Sequence, residues 1–201
     1  LKEEIPNLTD EEIINVVNNF KGEYEQEVPI YSAVKINGKK LYEYAREGKE
    51  VELPKRLVSI DDIKIISDIK RENNRIIFSI ETSVSKGTYI RSLIRDIGYK
   101  LGVPATMSSL VRTRQGNFSI EQSYTLDEIK AGNFEFINIT DAFPNIPKII
   151  VDDKIAFKVK NGVILDKFFD SDMAFIFDKE DNLLALYQLD GGKCRTYKVF
   201  L

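Results

Sequence analysis

Lys86-Gly87-Thr88-Tyr89-Ile90-Arg91 gathers a lysine, a tyrosine and an arginine into one short run. Together they suit an anion held beside an aromatic face. The chain has no histidine and a single cysteine, Cys194. Histidine acid–base chemistry is therefore excluded, a zinc site has no ligand set, and no internal disulfide can form. Whatever chemistry occurs must use carboxylate, Tyr, Lys, Arg or Ser/Thr. The lone cysteine fits a reducing, cytoplasmic setting.

The elements flanking this run are legible. Phe78, Ile80, Thr82 and Val84 alternate with Ser79, Glu81 and Ser83, the pattern of a half-buried strand. Ile90, Leu93, Ile94, Ile97 and Leu101 lay one apolar stripe along a helix, which Gly102 and Pro104 end. Lys86-Gly87 makes the turn between them, with Thr88 as the expected N-cap. A helix start carries spare N–H groups and partial positive charge, which favours an anion. A strand–Gly turn–helix is also an ordinary connection, in which Thr88 would be only a cap.

Charge is unevenly spread. The net charge is −3, yet residues 31–115 hold 17 Lys+Arg against 10 Asp+Glu, a balance of +7. Residues 1–30 stand at −6 and residues 116–201 at −4. A localised basic region between acidic flanks is the footprint that phosphate binding needs, although solvated faces also look like this. No run approaches a membrane-spanning length and no signal peptide is read. Leu1 is not an initiator methionine, so a cut or processed end is expected there.

Along the chain, Thr9 and Glu12 form a capping box, with Leu8 and Ile13 at staple positions. A helix should bury Ile13, Val16, Val17 and Phe20 and stop at Gly22. Glu23 to Glu27 reads as an acidic loop. Val28 to Ile36 reads as a strand turning at Asn37-Gly38, and Lys39 to Arg46 as a short helix. Tyr31 with Lys35, Lys39 and Lys40 forms a stacking residue in a basic patch, or a tyrosine at the core edge. Val51 to Leu53 and Leu57 to Ile66 read as strands around Arg56, and Ser67 to Asn74 as a polar turn. Leu110 to Phe118 is an extended basic run broken at Gly116, and Leu126 to Ala131 a helix. Two prolines in 138–147 mark a domain boundary. Five strands follow from Lys148: Ile149–Val151, Ile155–Val159, Ala174–Phe177, Leu183–Leu189 and Arg195–Phe200. Lys179–Asn182 and Gly191-Gly192 supply turns of a small β-barrel-like module.

Three blocks together resemble the bacterial tRNA pseudouridine-55 synthases of the TruB type. They are Tyr31-Ser32-Ala33-Val34-Lys35 with Gly38 and Tyr42 to Gly48; Lys86 to Leu93 with Asp96-Ile97-Gly98; and Leu110 with Arg112-Thr113 and Gly116-Asn117-Phe118. The resemblance is close from Tyr31 to Phe118. It implies an α+β fold: a mixed, mainly antiparallel twisted sheet with flanking helices, the pseudouridine synthase fold in incomplete form. A small β-rich PUA-like module should follow. The implied domains are residues 1–146, part of the catalytic domain, and 147–201, an RNA-binding module.

The resemblance further implies conversion of the T-loop uridine of tRNA, position 55, to pseudouridine, with no cofactor and no metal. The base must leave its stack to be reached. Tyr31 matches the tyrosine that packs on the flipped base, Tyr89 the tyrosine at the reacting ring, and Leu110 an apolar contact to uracil. Arg91 matches the arginine that pairs with the catalytic aspartate. Lys35, Lys39, Lys40, Arg46, Lys86, Arg112 and Arg114 are expected at RNA phosphates. The implied partner is the tRNA T stem-loop, without membrane, and the complete enzyme is implied to be a monomer.

There are departures. A single Pro29 stands where the family shows paired prolines, and Val111 stands where a basic residue is common. No stretch matches the N-terminal block Gly-x-Leu-Asp-x-x-Ala-x-Gly that holds the nucleophilic aspartate. The expectation is the C-terminal part of a longer enzyme, inactive alone, with Arg91 facing water or an anion. A non-catalytic tRNA-binding module is the alternative. The guide-RNA-dependent relatives share the Lys-Gly-Thr-Tyr-Ile-Arg type of block, but the short C-terminal module argues against them.

Overall fold

The computed structural model describes residues 7–200. Leu1, expected to be a cut or processed end, lies outside the described residues. The chain divides into two compact units, Leu1–Leu110 and Val111–Leu201.

The first unit opens with helix α1, Asp10–Asn18. The expected capping box is present: Thr9 Oγ1 accepts from the Glu12 amide at 3.2 Å, and Thr9 N donates to Glu12 Oε2 at 2.7 Å. Glu12 stays ionised below the usual carboxylate range because it accepts the Thr9 backbone and hydroxyl hydrogens. The acidic segment expected to be a loop is instead strand β1, Gly22–Glu27. Tyr24 and Gln26 turn inward while Glu23 and Glu25 face water, so a half-polar pleat suffices at the sheet edge.

Val28–Val34 is not a strand. Only Lys35–Ile36, β2, and Lys39–Lys40, β3, pair, across the expected Asn37-Gly38 turn. Pro29 offers no N–H for a ladder. Helix α2 is Leu41–Arg46, two residues shorter than expected, because Lys39 and Lys40 belong to the hairpin. Val51–Leu53 is likewise outside any strand. The ladder with β1 begins at Glu27 opposite Lys55, which leaves residues 51–53 without a partner.

Strand β4, Lys55–Ile65, is central in a three-stranded antiparallel sheet, ordered β1-β4-β7, where β7 is Ile80–Val84. Its register against β7 shifts between Ile60 and Asp62. That bulge lets Ile60 and Ile63, three residues apart, both enter the core. The segment 67–74, expected to be a plain turn, contains half of a hairpin: β5 Lys70–Glu72 and β6 Arg75–Ile77. Asn73 and Asn74 take positive φ at its tip, 49° and 60°. The alternation from Phe78 onward enters the sheet only at Ile80.

Helix α3 runs Ile90–Leu101. Leu93 and Ile97 are buried, with Ile90, Ile94 and Leu101 half-buried, as the apolar stripe predicts. Leu93, Ile97 and Leu101 pack with Ile13, Val17, Ile60 and Ile63 into one core. Gly102, at φ 71°, ends the helix.

The second unit carries a hairpin, β8 Arg114–Gln115 and β9 Phe118–Ser119, turning at Gly116-Asn117. Helices α4, Leu126–Lys130, and α5, Ile139–Ala142, follow. Next come β10 Lys148–Ile150, β11 Leu165–Asp166, β12 Met173–Phe177, β13 Leu183–Asp190 and β14 Lys193–Val199. They form one sheet in the order β10-β12-β13-β14-β11. The expected strand Ile155–Val159 is helix α6, Asp153–Lys160. Asp152 caps it, accepting the Ile155 N–H at 2.8 Å, and Ala156 and Val159, three apart, share its buried face. The cap residue and the Asn161-Gly162 stop were the signals to read. Tyr187 is fully buried, with its hydroxyl donating to Val163 O at 2.8 Å. Cys194 is buried and unbridged.

Candidate nucleotide-binding site at the start of helix α3

The turn from β7 into α3 needs Gly87. Its φ of 95° is a conformation that side-chain-bearing residues rarely adopt. Arg56 from β4 fills the space beside it: a Cβ at residue 87 would stand 3.9 Å from Arg56 Nη1. Thr88 is not the N-cap. Its hydroxyl lies 3.2 Å from Ser85 Oγ inside the turn, and Tyr89 is the capping residue, with no side-chain cap bond of its own.

The missing cap comes from across the sheet. Gln26, 1% exposed on β1, accepts the Tyr89 N–H on Oε1 at 2.8 Å. Its Nε2 donates to Tyr89 O at 3.2 Å and to Tyr24 Oη at 2.6 Å. The Tyr24 phenol is pushed up to about 12, mainly by burial, with Asp96 adding to the rise and Gln26 opposing it. Ser92 Oγ, in the first turn of α3, donates to Glu27 O at 3.0 Å. Arg95 bridges Glu27 at 3.1 Å and Asp96 at 2.9 Å. Strand β1 and helix α3 are thus joined by a continuous polar seam. The β1 side of the seam is missed in the sequence, because Gln26 lies in a segment read as loop. The alternation Tyr24, Gln26, Val28 was the available signal.

Arg91 is exposed, as expected, but not wholly free. Its Nη2 donates to the backbone carbonyl of Tyr31 at 3.2 Å. Among the described residues no carboxylate stands within ion-pair distance of Arg91. Tyr31 is 59% exposed. It lines an open groove of about 700 Å³ with Ile30, Ala45, Gly48 and the segment Lys49–Leu53. The structure thus joins the Tyr31 backbone to Arg91 in the first turn of α3, next to the capping Tyr89, while the groove itself is lined by neither Tyr89 nor Arg91.

The other expected residues divide. Lys86 is exposed in the turn, with no ion pair among the described residues. Lys40 and Arg46 stand over the Tyr42 ring, 5.4 Å and 5.2 Å from its centroid. Lys39 pairs with Glu47, which Lys39 and Lys49 together hold below the usual carboxylate range. Lys35 is exposed in β2. Leu110 is 58% exposed at the end of the first unit. Arg112 and Arg114 belong to the second unit, where Arg112 donates to Gln115 Oε1. Among the described residues no group of His, Cys, Asp and Glu could hold a metal ion.

Residues 1–90 match the TruB family pseudouridylate synthase N-terminal domain, and residues 91–138 match the tRNA pseudouridylate synthase B C-terminal domain. The chain is 43% identical over 188 residues to tRNA pseudouridine synthase B of Bacillus subtilis (strain 168), covering 88% of this chain and 61% of that protein. The namesake from Bacillus anthracis is 43% identical over 190 residues, covering 90% of this chain and 62% of the relative. The chain thus spans about three-fifths of the length of these curated relatives. Among solved structures, a chain of a Cbf5-Nop10-Gar1 complex superposes with a TM-score of 0.63 at 25% identity, over 99% of this chain and 64% of that one. A chain of an H/ACA RNP bound to a substrate RNA containing 2′-deoxyuridine gives a TM-score of 0.62 at 24% identity, over 98% and 63%, a likeness of fold alone. With two successive domain matches, close relatives and the same α+β architecture, the chain belongs to the TruB pseudouridylate synthase family.

Proposed function

We propose that this chain forms the base-binding and arginine side of a tRNA pseudouridine synthase acting on the T-loop uridine, position 55. The observation that carries the proposal is the junction at the start of α3. There Arg91 ties the Tyr31 backbone to the helix, and Tyr89 caps that same helix.

In this reading Tyr31 packs on the flipped uracil, Leu110 adds apolar contact, and Tyr89 lies at the reacting ring. The reaction breaks the bond from ribose C1′ to uracil N1, turns the ring and forms a bond from C1′ to C5. C5 loses its proton and N1 gains one, so the product is an isomer and nothing is oxidised. A carboxylate must act at the sugar or base and then leave. Arg91 would hold it ionised, since a guanidinium lowers a carboxylate pKa by roughly 1–3 units where burial would raise it. No stretch of this chain matches the family's aspartate block, so that carboxylate comes from an upstream segment in this proposal. Lys35, Lys39, Lys40, Arg46, Lys86, Arg112 and Arg114 serve the phosphates of the T stem-loop. The enzyme works as a cytoplasmic monomer. Among the described residues no helix is long and apolar enough to cross a membrane.

The test is tritium release from C5-labelled tRNA. The chain alone should release none, and supplying the upstream segment in cis or in trans should start release. Clear turnover by the chain alone would mean that one of its own carboxylates is the nucleophile. Tight T stem-loop binding, with no release even after the segment is added, would favour a tRNA-binding module, the reading to which an Arg91 with no carboxylate partner among the described residues also lends itself.

A further inference from the structure

We propose that Gln26 is the positioning residue for Tyr89, setting where its phenol stands against the base. The inference rests on the reading of Tyr89 as the group at the reacting ring. Its own ground is geometric.

The carboxamide of Gln26 meets Tyr89 as a strand neighbour would, accepting from its N–H and donating to its C=O. Both ends of residue 89 are therefore gripped by one planar group. The Tyr89 carbonyl also takes the first helical bond of α3, from Leu93 N at 3.0 Å. With N–H and C=O fixed, the Cα–Cβ direction is fixed, and with it the origin of the phenol. The orientation of the amide is itself determined. Reversing it would set an NH₂ against the Tyr89 N–H, and would leave Tyr24 Oη without its donor. Both Nε2 hydrogens and Oε1 are used, in a site closed to water. A polar side chain this buried is retained only where its bonds are made. Here every bond it makes bears on Tyr89 or on the tyrosine that supports it. A reacting group must be held to within about 0.5 Å by side chains whose own rotamers are locked in this way.

The informative substitution is Gln26→Glu, which keeps the shape. When protonated, the new carboxyl accepts from Tyr89 N–H and donates to Tyr89 C=O. When ionised, it presents only oxygen to that carbonyl. Burial and the carboxylates of Glu27 and Asp96 raise its pKa, while Arg95 on α3 and Arg56, opposite Gln26 on β4, lower it. Tyr24 faces it as a neutral phenol.

The first measurement is the Tyr89 carbonyl ¹³C resonance of the chain from about pH 5 to about pH 8.5, a range above the ordinary carboxylate pKa. In Gln26→Glu it should move along one titration, and in the parent chain it should not. In Gln26→Leu the Tyr89 amide should lose at least about tenfold of its hydrogen-exchange protection, while Val17 in the core keeps its own. The second measurement is turnover with the upstream segment supplied. The kcat of Gln26→Glu should fall at least about tenfold, relative to the parent, through that same titration, with KM within about twofold. If the carbonyl resonance is flat with pH, the grip on Tyr89 is not as described and the proposal fails, whether or not Gln26→Leu folds. If the resonance titrates but kcat does not follow, while Tyr89→Phe is slow, positioning by Gln26 is overturned and the role of Tyr89 stands. If Tyr89→Phe is fully active, the reading of Tyr89 itself fails, and with it the catalytic meaning of the grip.

Discussion

Arg91 Nη2 reaches the backbone carbonyl of Tyr31 at 3.2 Å, so the arginine of one block holds the backbone of another. One guanidinium then has two duties: holding the Tyr31 segment and, in the proposed enzyme, facing the carboxylate. Arg91→Ala should lower turnover by about 100-fold or more, the usual cost of losing a preorganised donor. It should also weaken RNA binding, because Tyr31 loses its tether. Arg91→Lys should restore little, since an ammonium has no planar fork. Single-turnover kinetics beside RNA titrations separate the two losses.

Tyr89→Phe keeps the ring and removes the hydroxyl. Its backbone bonds to Gln26 do not involve the phenol, so the fold should be untouched. T stem-loop affinity should hold within about twofold, while turnover falls about 100-fold, the scale of a lost acid–base group. Normal turnover by this variant would remove the hydroxyl from the mechanism.

Affinity for a T stem-loop should fall steeply with salt, because the middle of the chain is basic within an acidic protein. Each phosphate contact contributes roughly 0.7–0.9 to the slope of log K against log salt. Lys86→Ala, Arg112→Ala and Arg114→Ala should each lower that slope by about one contact. Lys39→Ala should change it less, since Glu47 already neutralises that charge. Absence of binding at low salt would dispose of the phosphate-binding role.

Tyrosine titration gives an independent check on the seam between β1 and α3. The Tyr24 phenol is pushed up to about 12 by burial, and the Tyr187 phenol is also raised by burial. A folded pKa above the unfolded value of about 10 contributes stability that is complete below that value, and is lost as pH rises through the folded one. The Tyr24 and Tyr187 phenols should therefore ionise late in an absorbance titration, together with alkaline unfolding. Tyr24→Phe should remove one late step and strip Gln26 Nε2 of an acceptor.

Gly98 is closed to any side chain. A Cβ there would stand 2.6 Å from Ala105 Cβ and 2.7 Å from Val103 O. Gly98→Ala should destabilise the first unit by about 1–3 kcal/mol, the cost of overpacking. Chemical denaturation of the variant measures this. Gly48→Ala tests a different cost: that site is open but has a φ of 65°, so strain acts there rather than a clash.

Local chemistry was legible in the residues themselves. Thr9 and Glu12 make their box, the stripe from Leu93 to Ile97 finds the core, and Asn37-Gly38 turns its hairpin, because each depends on neighbours within one turn of chain. Absent histidine and a single cysteine bounded the chemistry for the same reason: composition needs no fold. What depends on partners far along the chain was not legible. The acidic run Gly22–Glu27 became a strand only because β4 offered it a ladder. Ile60 and Ile63 share a core only through the bulge that β7 imposes. The stretch 155–159 has strand-like residues, but its cap and its packing face made it a helix. The site divides the same way. The family resemblance named Tyr31, Tyr89 and Arg91, but the bond from Arg91 to the Tyr31 backbone, and the Gln26 that grips Tyr89 from 63 residues away, were decided by tertiary structure. A hydrogen bond formed across a sheet leaves no periodic trace in the sequence that makes it.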